Sequence, residues 1–351
     1  MMQISPETQL FIREHSSDDV RVLALQAKKY PDIDMPTVIT QIAGRKVAAE
    51  KIPSWWEIEK IWYPKHLSLE QCSSEITARY KARLLQGDSL TDLTGGFGID
   101  CSFLATGFKS ATYVERQEEL CEIAAHNFPV LNLNHINIKN EDGVTYLQVM
   151  SPVDCLFLDP ARRNEHGGKT VAISDCEPNV AELEELLLQK ANRVMIKLSP
   201  MLDLSLALKE LKQTQEVHIL SVNNECKELL ILLGQTSPAE ISIHCVNLFT
   251  KGTQEEQHFV FTREQEQCSE CTYTDSLETY LYEPNASLLK AGAFRSIAAA
   301  YPVRKLHPNS HLYTSDTFIE NFPGRIFRIV NQCSFNKKEV KENLADLKKA
   351  N

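Results

Sequence analysis

Short apolar runs alternate with segments of helical periodicity from residue 74 onward. In the helical segments apolar residues recur every three or four positions, as at Leu120, Ile123 and Ala124. Several short runs are apolar throughout, which is typical of strands in a sheet that is covered on both faces. The seven predicted strands are Leu90–Leu93, Ala111–Glu115, Ile136–Asn140, Asp154–Leu158, Arg193–Leu198, Glu216–Val222 and Glu228–Leu233. The alternation predicts an α/β fold with a doubly wound, mostly parallel, Rossmann-like sheet over residues 74–235.

The last two predicted strands are connected differently from the others. Only five residues separate Val222 from Glu228. A parallel pair needs a crossover of about a dozen residues or more. These two strands are therefore predicted to form an antiparallel hairpin at the end of the series.

The segment before the sheet, residues 1–73, predicts a helical region that prolines interrupt. Its tryptophans Trp55, Trp56 and Trp62 lie among lysines and arginines. Such a mixture can bind nucleic acid through base stacking and phosphate contacts. More often, tryptophans of this kind pack a small helical domain onto its neighbour.

The segment after the sheet predicts a second, α+β region. Strands are expected at Glu240–Phe249 and Gln257–Thr262, followed by a polar loop from Glu264 to Ser276. A helix is expected near Ala286–Ala300. The remaining elements expected there are a strand at Arg325–Val330 and a basic helix at Lys337–Lys349.

Composition places the chain among globular proteins, with 351 residues, 43% hydrophobic and 24% charged. The longest uninterrupted apolar stretch, Leu229–Leu233, has five residues, whereas a membrane span needs about 20. The N-terminus has neither the basic nor the apolar region of a signal peptide. The ten cysteines are therefore expected to be reduced, in a cytoplasmic protein.

The charge is unevenly distributed along the chain. The formal net charge is −10, which argues against a general affinity for nucleic acid. Residues 286–351, however, carry 11 Lys and Arg against 5 Asp and Glu. This asymmetry predicts either a partner-binding end or an ordinary solvated surface.

The strongest chemical motif is a glycine-rich turn at residues 92–100, with the sequence DLTGGFGID. It follows the first predicted strand, where Gly96 and Gly98 allow the backbone to turn tightly beside a ligand, next to Thr94. The dehydrogenase fingerprint needs Gly or Ala where this chain has Cys101. Asp92 at the strand end instead fits a ligand that carries an ammonium group and no phosphate, such as S-adenosylmethionine (SAM).

Two carboxylates follow at the ends of the next strands. Glu115 ends the second strand, where an acid can accept both ribose hydroxyls; the alternative is a surface residue paired with Arg116. Asp142 ends the third strand and can accept from an adenine amino group. Its alternative role is in an Asp-Gly turn.

The fourth strand ends in residues 159–163, with the sequence DPARR. In amino-methylating enzymes an acidic residue followed by proline holds the acceptor nitrogen, so we expect Asp159 and Pro160 to position the acceptor. Lys197 ends the fifth strand on the same rim, where it either neutralises Asp159 or touches a substrate phosphate. Upstream, Ser73 lies at a helix start that can either bind the cofactor carboxylate or cap the helix.

Five motifs together resemble a family of bacterial class I SAM-dependent methyltransferases that carry a C-terminal THUMP-like domain. They are QCSSE at 71–75, DLTGGFG at 92–98, VER at 114–116, DPARR at 159–163 and KLSPMLD at 197–203. The resemblance implies a helical region at 1–73, a methyltransferase domain at 74–235, a small ferredoxin-like insert at 236–279 and a THUMP-like domain at 280–351. It also implies an RNA substrate, tRNA or rRNA, with Arg162, Arg163, Lys337 and Lys338 as substrate-binding candidates.

The chain departs from the family pattern at two places. Ala161 and Arg162 stand where amino-methyltransferases usually have a second proline and an aromatic residue, so no aromatic is present there to stack on a base. Family members also continue beyond a helix like Lys337–Lys349, so the chain is expected to lack final strands.

Four alternative interpretations remain. Catalysis by a cysteine would use Cys155 or Cys176, but the first lies inside a predicted strand and the second is 17 residues from Asp159. The pair Cys268 and Cys271 would be half of a zinc site if His244, Cys245 or His258 completed it, but a single C-x-x-C is weak evidence for metal. A methyltransferase fold without turnover would bind SAM and RNA but transfer no methyl group. An acceptor on protein or a small molecule is a further alternative to RNA.

Overall fold

The computed structural model describes residues 4–162, 172–236, 238–334 and 336–343. The chain divides into two compact units that are not continuous in sequence. One comprises the chain up to His218 together with Lys227–Ala239, and the other comprises Ile219–Cys226 and the chain from Glu240 onward. Among the described residues, the helices are too short or too polar to cross a lipid bilayer.

The first unit begins with a group of helices. They are α1 Pro6–Glu14, α2 Val20–Gln26, α3 Met35–Lys51, α4 Pro53–Trp56 and α5 His66–Gln71, with a 3₁₀ turn at Ala27–Lys29. The side chains of Ser5, Asp19 and Asp34 accept backbone N–H bonds at the starts of α1, α2 and α3, which satisfies donors that a helix leaves unpaired. Phe11 and Val38 are buried between these helices.

The tryptophans of this region pack largely within the first unit. Trp55 is 2% exposed and meets the ring of Phe97 edge to face, with centroids 5.2 Å apart. Trp62 stacks on His126 at 3.7 Å. Trp56 is 40% exposed. The ring contacts of the buried Trp55 and the partly buried Trp62 agree with the packing alternative, since rings held in this way have one face already covered.

The large sheet and its helices follow. The strands are β1 Ser89–Asp92, β2 Ser110–Glu115, β3 Ile136–Asn140, β4 Val153–Leu158, β5 Ala161–Arg162, β6 Cys176–Glu177, β7 Ala191–Leu198, β8 Thr214–Val222 and β9 Glu225–Gly234. The helices are α6 Glu75–Ala82, α7 Ile99–Ala105, α8 Glu118–Val130, α9 Gly143–Val149, α10 Val180–Lys190 and α11 Leu204–Glu210, with a 3₁₀ turn at Ile173–Asp175. The short strands β5 and β6 pair with each other, outside the large sheet.

The strand order is β8-β9-β7-β4-β1-β2-β3. Neighbouring strands from β7 to β3 are parallel, whereas β9 is antiparallel to β7. The predicted α/β fold and its seven strands are confirmed. β9 lies next to β8, as the short connection between the two strands requires. Two further strands, β10 Ser242–Leu248 and β11 Glu256–Thr262, extend the sheet beyond β8 to nine strands.

The second unit also contains a small antiparallel sheet. Its elements are α12 Arg263–Cys268, β12 Tyr280–Pro284, α13 Ala286–Ala291, α14 Ser296–Ala300, β13 Arg304–Lys305, β14 Tyr313–Ser315, β15 Gly324–Arg328 and α15 Lys337–Asn343. The strand order is β13-β14-β12-β15. Tyr282, Tyr313 and Phe322 are fully buried in this unit.

Two predictions for the second unit were wrong. A loop was expected from Glu264, but α12 begins at Arg263, because Thr262 and Gln265 cap its first turn reciprocally. One helix was expected over Ala286–Ala300, but Gly292 adopts a φ of +77° and ends α13 before α14 begins. Of the predicted basic helix, residues 344–349 lie outside the described residues.

Candidate functional site

Acidic side chains gather at the carboxyl ends of the parallel strands. Asp92 is the last residue of β1, Glu115 is the last residue of β2, and Asp159 directly follows β4. Lys197 is the penultimate residue of β7. Because these strands are parallel neighbours, the four side chains lie on one rim of the sheet, which is where α/β proteins bind ligands.

The glycine turn after β1 packs tightly against β2. The N–H of Gly95 donates to the carbonyl oxygen of Val114 at 2.9 Å. A Cβ atom at Gly95 would lie 2.2 Å from the ring of Tyr113, a distance that no side chain can occupy. Gly98 precedes α7 as its N-cap and has a φ of +87°, a conformation that glycine adopts without the strain that other residues incur.

Glu115 holds this turn in place through both of its oxygens. Oε2 accepts from the N–H of Gly96 at 2.9 Å, and Oε1 accepts from the N–H of Gln117 at 2.8 Å. The hydroxyl of Tyr113 donates to the carbonyl oxygen of Gly96 at 2.5 Å. Since each carboxylate oxygen can accept two hydrogen bonds, Glu115 retains capacity for a ligand.

Asp92 is buried, with 1% of its surface exposed. Its Oδ1 accepts from the N–H of Thr94 at 2.9 Å, while Oδ2 has no hydrogen-bond partner among the described residues. Burial raises the pKa of this carboxyl well above its usual range, and the nearby acids Asp100, Asp159 and Glu115 raise it further. An unpartnered buried oxygen of this kind favours a ligand that donates hydrogen bonds or carries positive charge.

Asp159 and Lys197 form a close ion pair. Lys197 Nζ lies 2.6 Å from Asp159 Oδ2, so the predicted placement of the two residues on one rim agrees with the structure. The acids Asp159, Asp100 and Glu228 raise the pKa of Lys197 despite the opposing effect of burial. Lys197 therefore stays an ammonium ion and is unsuited to act as a base.

A buried ionic cluster lies behind this pair. Lys81 Nζ contacts Asp100 Oδ1 at 2.9 Å and Glu228 Oε2 at 2.6 Å. Sequence reasoning assigned no role to any of these three residues. Asp100 is the last residue of the glycine motif and Glu228 is the first residue of a predicted strand, so both lay at marked positions in the sequence pattern. No pattern distinguished Lys81.

Two predicted site residues, Ser73 and Asp142, make hydrogen bonds within the protein. The hydroxyl of Ser73 donates to Asp100 at 2.7 Å and accepts from Lys81 and Lys197, so it belongs to the ionic cluster. The exposed Asp142 caps α9, its Oδ1 accepting from the N–H groups of Val144 and Thr145. These bonds agree with the capping alternative for Asp142, while its role toward adenine stays a prediction.

The substrate-binding candidates are distributed over both units. The backbone of Arg162 pairs with Cys176 in the β5–β6 ladder, and Arg163 lies outside the described residues. Lys337 and Lys338 are exposed on α15 in the second unit. All ten cysteines are free. Burial raises the pKa of Cys155 to about 11, which disfavours its thiolate.

The fold and this rim define a Rossmann-like protein of the methyltransferase type. A protein from Porphyromonas gingivalis W83, described as a putative methyltransferase, is 34% identical in a solved structure, with a TM-score of 0.84. The match covers 98% of this chain and 87% of that one. The chain therefore belongs to the family of that protein.

Two solved structures with lower similarity match the chain over less than half its length. An rRNA methylase from Streptococcus thermophilus is 14% identical with a TM-score of 0.33, covering 45% of this chain and 93% of that one. A putative methyltransferase from Streptococcus mutans in complex with SAH is 14% identical with a TM-score of 0.33, covering 46% and 96%. At these TM-scores neither likeness bears on function. No curated protein matches the sequence at the similarity we required.

A family model of a ferredoxin-like domain matches residues 280–323. The resemblance implied a ferredoxin-like segment at 236–279 and a THUMP-like domain from 280 onward. The match instead covers most of the small sheet in the second unit, while β10 and β11 extend the large sheet. The THUMP-like assignment remains a prediction.

Proposed function

We propose that the protein is a SAM-dependent methyltransferase whose substrate is RNA. The observation that carries the proposal is the buried Oδ2 of Asp92, which has no hydrogen-bond partner within the described part of the chain. It lies beside a glycine turn in which Gly95 has no room for a side chain. This combination offers a cationic ligand both a buried acceptor and close access to the backbone. The residues present therefore fit the ammonium group of SAM.

Separate residues would hold the different parts of the cofactor. Asp92 would accept from the ammonium group, Glu115 from the ribose hydroxyls, and Asp142 from the adenine amino group, beside the turn that contains Thr94, Gly96 and Gly98. Ser73 is engaged by Asp100, Lys81 and Lys197, so it would act on the cofactor carboxylate only through that cluster. When bound, SAM supplies an electrophilic methyl group.

Asp159 and Pro160 would position the acceptor. Lys197 holds Oδ2 of Asp159 at 2.6 Å, and Oδ1 would accept a hydrogen from the acceptor group. The side chain of Asp159 is 36% exposed, so a substrate can reach it. Catalysis would then depend on positioning and on local acceptors as charge develops, with no proton passing to Lys197.

The choice of RNA is supported by the distribution of charge. Residues 286–351 carry the excess of basic residues, and Lys337 and Lys338 are exposed. Lysines that contact phosphates release counterions and provide affinity independent of sequence. The activity is proposed to act on tRNA or rRNA in the cytoplasm.

Calorimetric titration with SAM tests the cofactor assignment. Wild-type protein is expected to bind SAM, and Asp92→Asn is expected to bind it more weakly. Asp154→Asn provides a matched control, because Asp154 caps the opposite end of the sheet. No binding by the wild type would refute the proposal.

Transfer of a tritiated methyl group to total bacterial RNA tests the reaction. Asp159→Asn is expected to bind SAM and to lose transfer, whereas Asp154→Asn keeps it. Equal transfer by wild type and Asp159→Asn would exclude the assigned role of Asp159. Binding without transfer to RNA, protein or small molecules would identify a binding module. Mass spectrometry of RNA from a knockout strain would then identify the modified nucleotide.

A further inference from the structure

The ionic cluster behind Asp159 is almost entirely inaccessible to solvent. The side chain of Lys81 is 0% exposed, and those of Asp100 and Glu228 are 10% and 8% exposed. Ser73 connects the two ammonium groups, since its hydroxyl accepts from Lys81 at 2.8 Å and from Lys197 at 3.1 Å. Lys81 therefore cannot touch a substrate, and any effect it has on the reaction must act through its neighbours.

Two ammonium groups share three carboxylates in this cluster. Lys81 pairs with Asp100 and Glu228, whereas Lys197 pairs with Asp159 at 2.6 Å and lies 3.5 Å from Asp100. Asp100 thus lies between the two lysines. Because an uncompensated buried charge is strongly unfavourable, the distribution of these ion pairs depends on both lysines together.

The three carboxylates differ in their access to water. Asp159 is 36% exposed, so water can solvate its charge, while Asp100 and Glu228 have little such access. If Lys81 lost its charge, the two buried carboxylates would be left without compensation. Pairing with Lys197 would then lower their free energy more than it lowers that of the solvated Asp159. Lys197 would then move toward Asp100 and away from Asp159.

We propose that Lys81 is a positioning residue for the reaction. By neutralising Asp100 and Glu228, it leaves Lys197 to hold the carboxylate of Asp159 in the orientation that receives the acceptor. This inference rests on the proposed function, because the orientation of Asp159 matters to activity only in a methyltransferase. It also predicts that the loss of Lys81 is corrected by removing one of the negative charges that Lys81 compensates.

Crystal structures and steady-state kinetics of two variants test the proposal. In Lys81→Met, we expect the distance from Lys197 Nζ to Asp159 Oδ2 to exceed hydrogen-bonding range, about 3.5 Å. We also expect kcat to fall at least about tenfold while KM for SAM changes by less than about twofold. Lys81→Met/Asp100→Asn removes one cation and also the buried carboxylate that lies 3.5 Å from Lys197, and it is expected to restore both the short distance and most of kcat. A double variant no better than the single one, or an unchanged distance in Lys81→Met, would overturn the proposal.

If Lys81→Met does not fold, the single variant Glu228→Gln tests the proposal in its place. In this variant Lys81 still neutralises Asp100, so Lys197 remains paired with Asp159. The kcat is therefore expected to stay within about twofold of wild type. A purely structural role for the Lys81–Glu228 pair predicts a loss here as well, and a tenfold fall would overturn the inference.

The titration of the Asp159 carboxyl, followed by ¹³C NMR, separates this inference from the proposed function. Among the described residues, the charged groups that act on Asp159 include Lys197, Asp100, Lys81 and Asp92. The pH at which the Asp159 carboxyl is half titrated is expected to rise in Lys81→Met and to return toward the wild-type value in the double variant. Both shifts are expected whether or not the protein transfers methyl groups. A wild type without transfer refutes the proposed function, whereas an unchanged midpoint in Lys81→Met refutes the positioning role.

Discussion

The hydroxyl of Thr94 accepts a hydrogen bond from the backbone N–H of Asp159 at 2.6 Å. The N–H of Thr94 in turn donates to Asp92 Oδ1. One residue of the glycine turn therefore connects the loop after β1 with the loop after β4. The proposed cofactor site and the proposed acceptor site are held in register by these two hydrogen bonds, since both loops lie on the same rim of the sheet.

Replacement of Thr94 by valine should affect transfer more than cofactor binding. The variant keeps the shape of the side chain but leaves the N–H of Asp159 without its acceptor. We expect kcat for methyl transfer to fall about tenfold and the free energy of unfolding to fall by about 1 kcal/mol. Radiometric kinetics and urea denaturation would measure these changes. Thr106→Val, at an exposed position on the opposite end of α7, is the control, and a similar kcat loss there would contradict the prediction.

Asp92 should make the protein less stable as the pH rises. Its folded pKa lies above the ordinary value of 3.8 because the residue is buried among acids. Between these two pKa values the folded state binds more protons than the unfolded state, so the free energy of unfolding decreases with increasing pH. Asp92→Asn removes this dependence. The free energy of unfolding of Asp92→Asn relative to wild type should therefore rise with pH, by at most about 1.4 kcal/mol per pH unit. Urea denaturation at several pH values between 4.5 and 8 would measure this rise.

Asp154→Asn provides a control with the opposite sign. Hydrogen bonds from the backbone of Asp88 and Ser89 lower the pKa of Asp154. This carboxylate contributes stability above its ordinary pKa, and that stability is lost as the pH falls through the folded value. The deficit of Asp154→Asn relative to wild type should therefore shrink toward acid pH. The same pH trend in both variants would contradict the opposite pKa shifts of Asp92 and Asp154.

Gly95 should not tolerate even a methyl group. A Cβ there would lie 2.2 Å from the ring of Tyr113, which is itself fully buried. Gly95→Ala should reduce the free energy of unfolding by about 1–3 kcal/mol through overpacking. Gly107→Ala is the matched control, because its Cβ would meet only a carbonyl oxygen at 3.7 Å. Equal stability of the two variants would mean that the turn does not pack on Tyr113 in this way.

The basic helix α15 should contribute to RNA affinity through charge alone. Changing both Lys337 and Lys338 to glutamine should weaken RNA binding at low salt. For single-stranded RNA the slope of log K against log salt concentration should become shallower by about 1.4. Fluorescence anisotropy at several salt concentrations would measure this slope. The exposed pair Lys28 and Lys29, changed in the same way, is the control, and an equal effect there would remove α15 from the RNA-binding surface.

Local pattern was sufficient to predict the large sheet and part of its rim. Apolar runs that are separated by helical segments predict parallel strands, because each helix returns the chain to the same end of the sheet. Residues that directly follow parallel strands therefore lie at one edge of the sheet. The adjacency of Asp159 and Lys197 was predictable for this reason, although they are 38 positions apart. The start of α12 was also predictable, because Thr262 and Gln265 have the spacing of a capping box, but the polar composition there was interpreted as a loop.

The ionic cluster could not be predicted, because it depends on contacts between distant elements. Lys81 and Glu228 are separated by 147 positions, and no periodicity relates a residue of α6 to one of β9. A lysine inside a helix is ordinarily solvated, so the sequence offered no reason to bury it. Likewise, Ser73 has the residue type of a helix cap, and only the tertiary structure shows its hydroxyl between two lysines.

The hairpin of β8 and β9 has a consequence for how the protein can be divided. The chain leaves the first unit after His218, returns at Lys227 and leaves again after Ala239. A fragment that ends at residue 235, where the sequence suggested a domain boundary, would retain the hairpin tip but lose the segment from Glu240 onward that belongs to the same unit. We therefore expect the two units to be expressed and inherited together, and not to be exchanged as separate modules in gene fusions.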